Sequence, residues 1–241
     1  FNQYHGNFSF GLLDSRFQLE GPIVKGKTSF NFGVRGSWLD AVSIPAFIIV
    51  NQSVKQDGEH YSGHYRFWDA NARLTHRFAP ENTLSLSFYM GRDNLGFGIG
   101  MEEKDAEETY EETGELDLDW GNMVTSLNWD YRISQDLYMD VSLFHSQNLS
   151  SYGLSTATDE RELNDEGEWE RQWQSSSEYN VSVVNDIGAK VDFDWYPSPS
   201  HHVRFGAKMT GHLYNPRRGA DFEYDHSGNA HSESALVRRA Y

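Results

Sequence analysis

Four times along this chain, two stretches of alternating apolar and polar residues flank a short turn, and the connections between these pairs run long and acidic. The clearest stretch is Thr28–Leu39. Phe30, Phe32, Val34, Gly36 and Trp38 fall on one side, and Ser29, Asn31, Gly33, Arg35 and Ser37 on the other. A two-residue period belongs to a β-strand, because successive side chains leave opposite faces of the pleat. A tilted strand of ~9–11 residues also crosses a bilayer. Short turns at one end and long loops at the other are the wiring of an outer-membrane β-barrel.

Composition is consistent with that reading. Of 241 residues, 38% are hydrophobic and 15% aromatic. Such a balance suits a sheet in which every second strand residue meets lipid while its neighbours face a wet or plugged interior. No apolar run is long enough for a transmembrane helix. The longest, Ile44–Val50, contains Pro45 and ends at Asn51, and reads as a buried loop segment. There is no cysteine, which is nearly neutral about compartment. A formal charge of −16 argues against nucleic acid as a partner, since phosphates would be repelled. No signal peptide is visible, so a chain of this kind, which must be exported, is expected to begin after processing or to be a piece of something longer.

The alternation predicts about eight strands, an all-β, antiparallel, up-and-down transmembrane barrel or part of one. They cover about Asn7–Glu20 (with a phase slip at Leu12–Leu13 read as a β-bulge), Lys27–Asp40, Gly63–Phe78, Thr83–Gly91, Leu116–Arg132, Leu137–Gln147, Glu178–Tyr196 and His202–Tyr214. Short turns, taken as periplasmic, fall near 21–26, 79–82, 133–136 and 197–200, where Gly, Pro, Asn and Ser gather. Long loops, taken as extracellular, fall near 41–62, 92–115, 148–177 and 215–234, and Ala235–Tyr241 is a candidate further strand. Phe17, Phe78, Trp129, Tyr131 and Trp195 sit near the short-turn ends, and Trp38 and Trp68 near the other ends. Two aromatic bands a bilayer apart are what amphipathic rings form at headgroup level. A soluble sandwich alternates too, but accounts for neither the short–long rhythm nor the two bands.

Four segments together resemble the barrel of Bacteroidetes-type TonB-dependent outer-membrane receptors. They are Gly21–Phe30 continuing through Arg35–Asp40; Leu84–Asp93; Trp120-Gly121-Asn122 with Leu127-Asn128-Trp129; and Lys190–Pro197 with His202–Ala207. The resemblance implies a barrel of about 22 strands around an N-terminal plug. It also implies active import of a scarce nutrient across the bacterial outer membrane, energy from the TonB system, and in some relatives a surface lipoprotein. No plug or TonB box is visible here, so the expectation is that this is the first part of a larger barrel. A small self-contained barrel serving as adhesin or anchor, and a soluble carbohydrate-binding β-domain, are the competing readings.

The polar side of the predicted strands carries Arg35, Asp69, Arg73, Asp130, Arg132, Lys190, Asp192, Asp194, Arg204 and Lys208, expected to face the lumen or a plug. Asp192 and Asp194 are expected to pair across their hairpin with Arg204, or with a plug domain. The acidic run from Glu102 to Glu115 lacks the glycine-punctuated spacing of a calcium loop and reads as solvated and mobile. Trp169 and Trp173 interrupt a second acidic run and are candidate ligand contacts, because flat rings stack on sugars, haem or peptides. His60 and His64, with His226 and His231, would bind metal or haem only if their loops converged. No nucleophile elbow, phosphate loop or zinc motif occurs, and neither catalysis nor a cofactor is expected.

Overall fold

The computed structural model describes residues 3–55, 58–226 and 229–238. The chain forms a single ten-stranded antiparallel sheet in sequence order, each strand paired with the next. The strands are β1 (His5–Phe10), β2 (Asp14–Val24), β3 (Thr28–Ser37), β4 (Glu59–Ala79), β5 (Asn82–Lys104), β6 (Glu108–Arg132), β7 (Leu137–Leu163), β8 (Trp169–Ser198), β9 (His201–His226) and β10 (Asn229–Arg238). One helix, α1 (Asp40–Val54), lies between β3 and β4. The architecture is thus the up-and-down sheet that the alternation predicts. Among the described residues β1 and β10 are its two edges and are not paired with each other.

Several expectations are corrected. The stretch Asn7–Glu20 is not one bulged strand but a hairpin, since Gly11 N–H donates to Asp14 O at 2.8 Å and reverses the chain into β2. Phe17 consequently lies well before the Gly26 turn, paired with Val34, and belongs with the opposite aromatic band. The segments near 92–115 and 148–177, and the described residues of 215–234, are not long loops. They are continuations of the ladder, so that β5 to β9 run to 23, 25, 27, 30 and 26 residues. Even the acidic run is laddered, with Glu102 opposite Glu111 and Glu103 opposite Tyr110. Ile44–Val50 is helical and exposed rather than a buried loop. Strand β10 begins at Asn229, earlier than Ala235, and residues 239–241 lie outside the described part.

The register aligns the side chains into rows across the sheet. One row reads Phe30, Leu74, Leu86, Leu127, Leu143, Ala189, Met209; the next reads Thr28, His76, Leu84, Trp129, Val141, Val191, Ala207. Because cross-strand partners share a face, these rows form one continuous apolar belt. Trp68 and Phe78 bracket the belt on β4. Ten residues at ~3.3 Å span about 33 Å, or about 25 Å once the strand is tilted by ~40°, the height of the apolar band on a membrane barrel.

No large apolar side chain among the described residues is buried. The chain exposes 16619 Å², against about 11,000 Å² for a compact monomer of 27.7 kDa. Among the described residues nothing lies against the belt, and Leu127, Leu143, Ile187 and Met209 all stand open to the outside.

Candidate functional site

The face opposite the belt gathers every charge that the strand pattern assigned to it. Arg35 Nε donates to Asp69 Oδ2 at 2.6 Å across the β3–β4 pair, and its guanidinium lies 4.8 Å from the Phe67 ring centre. Arg73 donates to Ser85 Oγ at 3.3 Å. Asp194 accepts from Arg204 Nε at 2.9 Å and is 2.7 Å from His202 Nε2. Asp192 differs from expectation: it pairs with Lys190, two residues away on its own strand. Its partner across the hairpin is Gly206. Lys208 lies 5.5 Å from the Phe144 ring centre.

Near the short turns this face holds a groove of about 700 Å³ lined by Glu81, Asp130, Arg132, Tyr138, Asp140 and Arg204, among others. The register places Asp130, Asp140 and Asp192 side by side on three neighbouring strands. Carboxylates so arranged, with Arg132 and Arg204 one row away, form a surface of alternating sign. They can hold polar groups of a body seated on the sheet, and no apolar environment would tolerate them.

Above the belt the two faces exchange character. On β4 the apolar positions shift from Trp68, Ala70 and Ala72 to Phe67, Tyr65 and Tyr61, which point the other way. On β5 they shift from Phe88 and Met90 to Leu95, Phe97, Ile99 and Met101, and on β6 from Met123 to Trp120, Leu118 and Leu116. The exchange falls at one level, because Trp68, Arg92 and Gly121 share a row and Phe67, Asp93 and Trp120 share the next. Beyond it, the polar face of the belt becomes an apolar, aromatic wall, joined by Tyr152 and Leu154 of β7. The belt face becomes polar, with Asp117, Asp119, Glu115 and Glu111.

Helix α1 closes the upper part of β4, which extends past the end of β3. Asn51 accepts from Tyr61 N–H at 2.7 Å and donates to Tyr61 O at 2.8 Å, occupying both backbone groups of an edge residue. Ser37 Oγ accepts from Phe67 N–H at 2.8 Å, and Arg66 pairs with Asp40.

The candidate ligand residues fall elsewhere. His60 and His64 lie on the outer, polar side of β4, four residues and so about 13 Å apart along a strand, too far to share a metal. His64 Nε2 is 2.6 Å from Asn94 Oδ1. Both rings lie over glycines: a Cβ on Gly96 would meet the His64 ring, and one on Gly100 the His60 ring. The side chains of His226 and His231 lie outside the described part. Among the described residues no cluster of metal-ligating side chains forms. Trp169 stands exposed at the β7–β8 tip, and Trp173 is opposite Asp159. Asp159 is gripped by Arg171, Nη2 to Oδ2 at 2.6 Å, and by Arg161, which hold its carboxyl down to about 2. The aromatic wall was the feature missed from sequence, although Leu95-Gly-Phe-Gly-Ile-Gly-Met101 announces it by strict alternation in the opposite phase.

No protein-family model matches the chain, and no curated protein matches it. Among solved structures, the siderophore receptor PiuA from Acinetobacter baumannii aligns over 92% of this chain and 47% of its own, at 8% identity and a TM-score of 0.20. A bacterial polysaccharide outer-membrane secretin aligns over 92% and 87%, at 10% identity and a TM-score of 0.11. The chain thus spans about half the length of the first. Likenesses at these scores carry no argument about function.

Proposed function

We propose that this sheet is part of a transmembrane β-barrel in the bacterial outer membrane, working as an active importer of a scarce nutrient in the manner of TonB-dependent receptors. The observation that carries the membrane half of this reading is the belt: an apolar face continuous from strand to strand, about a bilayer high, with nothing among the described residues covering it. Lipid satisfies that face. Water or a plug satisfies the charged one. In hydrocarbon every backbone group must be bonded, so the free edges of β1 and β10 call for further strands to close the wall.

The transport half rests on the resemblance in the sequence and on the polar face. A plug domain would seat against the Asp130–Asp140–Asp192 row and its neighbouring arginines. TonB would supply energy, and a surface lipoprotein is a partner compatible with the tall hairpins. Deleting the protein in its host should slow growth only when one nutrient is scarce, with the defect relieved by excess of that nutrient and reproduced by a protonophore. Unchanged growth on limiting iron, cobalamin and glycans would leave an adhesin or anchor instead.

A further inference from the structure

The belt is interrupted on β7 and β8. Cross-strand pairing puts His145 between Thr125 and Ile187, one row above Leu127, Leu143, Ala189 and Met209. Gln147 and Asn185 stand opposite each other in the row after that, between Met123 of β6 and Leu213 of β9. Two-residue steps from Leu143 and Ile187 keep all three on the outer, apolar side. Beyond them apolar side chains resume, with Leu149 opposite Val183 and then Val181 on β8. On these two strands the three form a polar island inside the belt, not its upper border.

Gln147 Nε2 donates to Asn185 Oδ1 at 2.8 Å. That bond uses one donor of the first amide and the carbonyl of the second. It leaves the Gln147 carbonyl and the Asn185 amino group without partners among the described residues, where His145 makes no hydrogen bond either. Directly below lies an apolar depression of about 530 Å³, lined by Leu86, Leu127, Leu143, His145, Ala189 and Met209, among others. In its row the small Ala189 sits between Leu143 and Met209. Against hydrocarbon the free carbonyl and amino group would go unbonded, at a cost in free energy. Polar side chains set in a lipid-facing wall are favourable where a second protein surface bonds to them.

We infer that this face of β7 and β8 docks a second copy of the chain, side by side with the first in the membrane. The inference rests on the membrane reading. The choice of occupant comes from the island itself, where an acceptor and a donor stand side by side in one row, one strand apart. A two-fold axis along the membrane normal, passing between β7 and β8, sets Gln147 of each copy against Asn185 of the other. Each amino group then meets a carbonyl, and the pattern completes itself, as an isologous contact requires. Lipid chains offer neither donor nor acceptor, and ionised phosphates offer acceptors alone, so neither answers the Gln147 carbonyl. Beside the axis, Ala189 lets the two walls approach closely.

The test counts copies of the full-length protein in phosphatidylcholine vesicles by single-molecule photobleaching, over a wide range of protein-to-lipid ratios. Expected are saturable pairs, with a dissociation constant raised at least fivefold by Gln147→Leu combined with Asn185→Leu. Leucine keeps this face apolar, and resistance of the unheated protein to dodecyl sulfate checks that the variant is folded. The Asn122–Asn148 amide pair, bonded at 2.8 Å on the inner face, is the control: exchanging both for leucine should leave pairing unchanged. A short bis-maleimide should join Gln147→Cys in one tagged copy to Asn185→Cys in another. Single copies at every density, or pairs indifferent to the outer double substitution, would overturn the assignment while leaving the membrane reading in place. A protein that stays in solution without detergent and enters no vesicle would remove both.

Discussion

At the scale of single residues, the sheet shows its constraints most plainly at Gly58 and Asp159. Gly58 opens β4 with φ +73°, and a Cβ there would run into the backbone carbonyl of Glu102. Gly58→Ala therefore meets both a left-handed backbone and a fixed obstacle. The conformation alone costs about 1–2 kcal/mol, so deuterium uptake at Glu102, whose N–H donates to Gly58 O at 2.8 Å, should rise at least fivefold. Asp159 carries a pH dependence. Its carboxyl is held at about 2 by Arg171 and Arg161, below the ~3.9 of an unfolded aspartate. A depressed carboxylate stabilises fully above about pH 4 and loses that contribution as pH falls toward 2. Pepsin should accordingly cut near Leu163–Trp169 faster at pH 2 than at pH 4, relative to a control substrate. In Asp159→Asn the ratio should be flat; an equal pH response in both would show that the grip does not hold the tip.

Among the elements, α1 is the least like its sequence and the most dependent on its place. Its apolar residues surround it, and its packed side is narrow, carrying Asp40, Phe47 and Asn51. Phe47 lies where a Cβ on Gly63 would have to go, which fixes the helix against β4. Asn51→Ala would leave Tyr61 N–H and C=O without partners, at about 1–3 kcal/mol for a group so orphaned. Exchange at the Tyr61 amide should accelerate between fivefold and a hundredfold, while exchange at Leu86 in the belt is unchanged. The strands were legible where one phase of alternation persisted, as in Trp68–Phe78 and Leu84–Met90. They were lost where the phase reversed, as in Leu95–Met101, or where glutamates dominated, as in Glu107–Glu115. A loop and a strand with an acidic face share a composition; only the register tells them apart. The neighbourhood of Tyr110, Glu160 and Phe222 at the hairpin tips was illegible for the same reason, since ladders spanning more than a hundred residues bring them together.

For the whole molecule, the decisive quantity is apolar area without a protein partner. The chain should stay monodisperse only in detergent or bilayer. In native membranes, trypsin should reach Lys104, Arg161 and Arg171 at the tips while sparing Arg73 and Lys190, which lie at the height of the belt on the opposite face. Cleavage at Arg73, or solubility without detergent, would remove the membrane reading. The exchange of faces between Trp68 and Phe67 has one more meaning. If the belt lies in lipid, it fixes how far the wall can ride up or down. Raise the lipid by two rows and Asp119 and Asp117 enter the hydrocarbon; lower it by two and Ala70 and Met90 are stranded in water. Near the interface each such charge costs up to about 1 kcal/mol, more with depth and less for a carboxylate than for Arg or Lys, and Arg66 of β4 would be drawn in beside Asp119. On the membrane reading the sheet carries its own waterline, drawn at one level across β4, β5 and β6.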